Sequence, residues 1–179
     1  MKKAAFVLAL AALGMHQAAN AIDGTISFNG SVDSTTCPVT VTDVNSENKN
    51  GVVTLGTVPA SMLSKAGEVA GHTAFTLTID NKAAGCSMTG RSAKVSFITM
   101  AGVAGPNVQW LGLVQEQGAA KNVAVQIRDA NGSEIMLGER SAVYTDLNQP
   151  LRFYANYIAT GKATAGPANA KAGFTIYYQ

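Results

Sequence analysis

Phe75-Thr76-Leu77-Thr78-Ile79-Asp80 alternates apolar and polar side chains without a break. A period of two puts Phe75, Leu77 and Ile79 on one face and Thr76, Thr78 and Asp80 on the other, the pattern of a half-buried strand. The same signal recurs on both sides. Upstream it runs through Thr25-Ile26-Ser27-Phe28-Asn29-Gly30-Ser31-Val32, through 39–44, and through Val52-Val53-Thr54-Leu55 after the Asn50-Gly51 pair. Downstream, further strands are expected at 95–99, at 109–114 around Trp110, at 123–128 where the alternation returns, at 151–158 and at 174–178. Asp129-Ala130-Asn131-Gly132 reads as a tight turn leading into a strand at 134–137, because Asn-Gly tolerates positive φ angles. Only 60–70 departs from the pattern, and one helical turn or a loop is expected there. Roughly nine or ten short strands, rich in Thr and β-branched residues, predict an all-β chain folded as a β-sandwich. No repeat or linker divides it.

The start of the chain has a different character. Met1-Lys2-Lys3 is basic, 4–13 is apolar, and Ala19-Asn20-Ala21 offers small residues at the positions a signal peptidase inspects. Residues 1–21 are therefore expected to be a signal peptide with Ala19 and Ala21 marking the cleavage site; the apolar run is too short to span a bilayer. Lys and Arg number 13 against 11 Asp and Glu. With Lys2 and Lys3 in the leader, the remaining 158 residues balance at 11 of each sign. A neutral chain without a basic cluster argues against nucleic acid and against anionic membrane as partners, and no direct membrane insertion is expected.

Export changes how the two cysteines are read. Cys37 and Cys86 lack CxxC spacing and a His cluster, so a zinc site is not expected. In an oxidising compartment two such cysteines in a small domain are expected to pair as a disulfide. Outside the leader His72 stands alone, no serine has nucleophile-elbow context, and the acidic residues are scattered. Neither a catalytic residue nor a metal or cofactor site is predicted. Asn29-Gly30-Ser31 and Asn131-Gly132-Ser133 match a glycosylation pattern that short sequences often produce by chance.

The two ends carry the most information. In 24–32 the large side chains Ile26, Phe28 and Val32 share one face, which Gly30 interrupts; this is either an edge strand with a bulge or a strand that inserts elsewhere. At the other end Phe174, Ile176 and Tyr178 share a face just before Gln179, and a sandwich whose chain stops in an apolar strand exposes an edge that has to be covered.

Four features together resemble the fimbrial subunits of the chaperone–usher class, most nearly type 1 major pilins. They are the stretch 24–32 followed closely by Cys37; Val53-Thr54-Leu55-Gly56 before a Ser/Ala-rich connection; Cys86, at a somewhat longer separation than in type 1 subunits; and the tail from Ala163 to Gln179, with Gly166 and the penultimate Tyr178. The resemblance implies an incomplete immunoglobulin-like β-sandwich lacking its last strand. It also implies that a donor strand from a partner completes it, by the β-strand addition known for chaperone–pilin complexes. Residues 22–34 would be the N-terminal donor-strand extension and first strand, and 35–179 the pilin domain. Ile26, Phe28, Gly30 and Val32 would face a neighbour's groove; Phe174, Ile176 and Tyr178 would line this chain's own groove; the Gln179 carboxylate would anchor a periplasmic chaperone. Implied partners are that chaperone, an outer-membrane usher and other pilus subunits, joined head to tail in a fimbria at the cell surface that supports adhesion.

A repeating shaft subunit is the expected role, with a minor adaptor or terminator as the variant within the class. A two-domain tip adhesin would need more residues. From other classes come a secreted carbohydrate-binding module, with Trp110 and Gln109 as the sugar-stacking pair, and a periplasmic enzyme.

Overall fold

The computed structural model describes residues 37–179; the expected leader 1–21, the expected 22–34 extension and the strand expected at 25–32 lie outside the described residues. Eight strands form there: β1 Val39–Asp43, β2 Val69–Ile79, β3 Ala93–Thr99, β4 Gly102–Ala104, β5 Trp110–Gly112, β6 Val123–Arg128, β7 Leu151–Ala159 and β8 Ala172–Tyr178. One sheet runs β1-β2-β7-β6-β5-β4, and the second pairs β3 with β8, every ladder antiparallel. A single 3-10 turn, Ala60–Leu63, occupies the expected helical spot.

The alternation in sequence becomes the inner face of the larger sheet. Phe75, Leu77 and Ile79 of β2, Val123, Val125 and Ile127 of β6, and Leu151, Phe153 and Ala155 of β7 are all buried. The sheets are joined through aromatic rings. Phe153, which is 0% exposed, stacks on Phe75 at 5.5 Å and meets Phe97 of β3 edge-on at 5.3 Å. Cys37, just ahead of β1, is bonded to Cys86 in the connection between β2 and β3, with Cα atoms 5.5 Å apart.

Two expected strands are corrected. The turn at 129–132 forms, with Asp129 accepting the N–H groups of Asn131 and Ser133, but 134–137 is not a strand. After one bridge from Arg128 to Glu134 the chain crosses to the other sheet, where Gly138, Ser141 and Tyr144 donate their N–H groups along β3 at 2.8 Å each. Val52-Val53-Thr54-Leu55 keeps its alternation, with Val53 and Leu55 against the core, yet joins no ladder among the described residues. The three-residue β4 had no signal long enough to read.

This order has the immunoglobulin-like layout, in which strands A, B, E and D form one sheet and C, F and G the other. β1, β2, β7 and β6 stand in the places of A, B, E and D; β3 and β8 stand in those of C and F. Beside β8, in the place of G, no strand of the described residues pairs.

Candidate functional site: an apolar groove beside β8

A groove of about 790 Å³ opens where that strand would lie. Its floor is core side chains, among them Phe75, Leu77, Phe97, Leu111, Val125 and Ile127. One wall is the segment 51–57; the other is 168–172 with Phe174 at the start of β8. Lys171 is the one charged residue of this lining. Tyr157 reaches the floor too, and burial pushes its phenol above the ordinary value, so it stays neutral there.

Each wall has its own support. In the first, Thr54 donates its N–H to the Asp43 carboxylate at 3.0 Å and accepts the Thr73 hydroxyl on its C=O at 3.1 Å. Burial of Asp43 works against its charge, but the N–H groups of Thr54, Asn45 and Ser46 and the Ser46 side chain outweigh it and hold the carboxyl below its usual range. The second wall is zipped to 113–121: Val114 donates to Asn169 C=O at 2.7 Å, Ala120 to Pro167 C=O at 2.9 Å and Thr164 to Lys121 C=O at 3.1 Å. Gly166 permits this approach. Its φ of +152° suits glycine, and a Cβ there would fall 2.1 Å from Gly118 O.

Of the residues expected to line a groove, Phe174 does so, whereas Ile176 and Tyr178 lie farther along the same inner face, packed against the core. Burial raises the Tyr178 phenol, with Arg91 opposing. Gln179 is tied back to Ser92, whose N–H it accepts at 3.0 Å and to whose C=O it donates at 2.8 Å. Ile26, Phe28, Gly30 and Val32, like Ala19 and Ala21, lie outside the described residues. The support by Asp43 and Thr73 escaped the sequence reading, because a hydroxyl and a carboxylate in alternating strands look like any solvent-facing pair.

The other candidates are occupied internally. The Trp110 indole N–H is taken by the Glu134 carboxylate, and Gln109 accepts the Asn107 N–H at 2.9 Å. His72 lies in β2 with its ring stacked on Tyr154 at 4.8 Å.

Residues 26–179 match the family model for fimbrial protein. The chain belongs to the fimbrial protein family. It is 35% identical over 190 aligned residues to the F17 fimbrial protein of Escherichia coli, covering all of both chains. To the type-1 fimbrial protein A chain of Escherichia coli it is 34% identical, over 87% of this chain and 83% of that one. Among solved structures, a Burkholderia pseudomallei antigen and type I fimbria protein matches at 30% identity with a TM-score of 0.55, over 79% of this chain and 98% of the other. The P pilus rod subunit PapA shares the fold at 17% identity with a TM-score of 0.54, over 87% and 99% of the two chains. This fimbrial subunit is accordingly a structural component of a pilus, an adhesive fimbria at the cell surface whose partners include other pilus subunits.

Proposed function

We propose that this subunit polymerises by accepting a strand from a neighbour into the groove beside β8 and giving its own segment 22–34 to the next. The observation that carries this reading is the groove itself: core-grade apolar floor open between two backbone edges, at a place in the sheet that no strand of the described residues takes. An extended chain laid there would bury alternate side chains and pair its backbone with β8, the usual energetics of β-augmentation. Ile26, Phe28 and Val32 supply those side chains, and Gly30 passes a spot too shallow for one. Before assembly, a periplasmic chaperone fills the groove and holds the Gln179 carboxylate; at the outer-membrane usher the neighbour's segment replaces it. Residues 1–21 are removed on export, after Ala21, leaving 22–34 as the extension and 35–179 as the domain. No catalytic role is assigned.

Gly30→Asn tests the donor role. It should block subunit joining while leaving capture by the chaperone intact, seen as loss of the boiling-sensitive ladder in unheated surface extracts. An undiminished ladder would refute the assignment of Gly30 to the donor strand.

A further inference from the structure

Among the described residues segment 51–57 is a wall without a ladder, and the bonds to Thr54 explain how it keeps its place. Asp43, at the end of β1, is 0% exposed, and Thr73, in β2, is 4% exposed. Each spends a buried polar group on the same residue: the carboxylate takes the Thr54 N–H and the hydroxyl reaches its C=O, at 3.0 and 3.1 Å. Two core positions thus commit both backbone groups of one wall residue. Fixing Thr54 toward β1 and β2 holds the segment at the rim of the groove, where Val53 and Leu55 pack against the core.

We infer that Asp43 and Thr73 form a clasp that presets the 51–57 wall, so that an incoming strand meets a wall already ordered at Thr54. The inference rests on the strand-accepting reading of the groove, and it makes both residues positioning residues that never touch the strand. A preset wall has less ordering to do on binding, so the clasp acts on affinity for the strand more than on the fold. It also defines one specific height for the ladder. Without the clasp the wall could slide by a residue, which would exchange inward for outward side chains.

The test uses the purified full chain, diluted until it is monomeric so that its own 22–34 segment fills no neighbour's groove, with an excess of a synthetic peptide spanning residues 22–34 as probe. Amide exchange at Thr54 reads the clasp, and peptide affinity reads its consequence. Thr73→Val keeps the side-chain shape and removes the hydroxyl; Thr73→Ser keeps the hydroxyl. The valine variant should weaken peptide binding and speed Thr54 exchange, each about fivefold to tenfold, with the melting temperature close to that of the parent. Thr73→Ser should restore both. Asp43→Asn should do as much or more, and Thr73→Val carries the test if that variant folds poorly. Unchanged exchange at Thr54 would overturn the clasp, and faster exchange with unchanged affinity would overturn its part in strand acceptance. A parent chain that binds no peptide would instead overturn the strand-accepting reading, while the exchange measurement would still decide whether the clasp holds the wall.

Discussion

At the scale of single residues, two positions combine a strong local constraint with a distant consequence. Gly166 sits where a Cβ would overlap Gly118 O at 2.1 Å and Ala120 N at 2.7 Å, both backbone atoms that cannot rotate aside. Gly166→Ala should therefore destabilise by about 2–4 kcal/mol, measured by urea unfolding. Gly132→Ala, with positive φ but nothing within 4 Å of its added Cβ, should cost only about 1 kcal/mol. Equal losses at the two sites would show that φ alone, and not the approach of the 113–121 segment, decides the outcome. Asp43 governs an acid limb. Its carboxyl is held below the ordinary value of 3.8, so its contribution is fully present above that value and is lost as pH falls through the lower folded value. Asp43→Asn should remove this part of the acid destabilisation, flattening the stability profile below about pH 4 in parallel unfolding titrations of the two proteins.

Elements show how much of the fold could be read beforehand and why the rest could not. β2, β6, β7 and β8 were legible because each turns alternate apolar residues to the core, buried in β2, β6 and β7 and partly buried in β8, so alternation in sequence is alternation in space. The segments 52–55 and 134–137 also read as strands, yet neither is one. Strand pattern reports which side chains go inward; pairing depends on a neighbour, which is set by the whole topology. For 134–137 the neighbour changes, since the chain leaves β6 for β3. For 51–57 no ladder forms among the described residues, and that mismatch between strand-like sequence and missing ladder is the mark of the groove. The Cys37–Cys86 bond ties the entrance of β1 to the far end of β2 across 49 positions. Replacing both cysteines by Ser should lower stability by about 4 kcal/mol in the chain-entropy account, seen as a lower denaturation midpoint that reducing agent reproduces in the parent. A midpoint unmoved by both treatments would mean that β1 is held by its ladder with β2 alone.

At the scale of the whole molecule, the proposed scheme joins a groove to segment 22–34 of a neighbour, two different parts of the chain, so such a contact is heterologous. Such contacts leave one groove and one extension unused at the ends of any assembly, and the chain of subunits grows unless the rotation happens to close it. A self-complementary dimer would behave otherwise, since the same patch would be spent on both partners. The two cases separate when a variant lacking residues 22–34 is mixed with the parent. Such a variant can accept a strand but has none to give, so it can stand only at one end of a filament and never inside it. Mixed in at about one part in ten and carrying a label, it should be found outside filaments or at one end of them, seen by electron microscopy and in the bands of unheated gels. Labelled subunits scattered along filaments would contradict the head-to-tail scheme, because an interior position in such a polymer needs both a strand to give and a groove to fill.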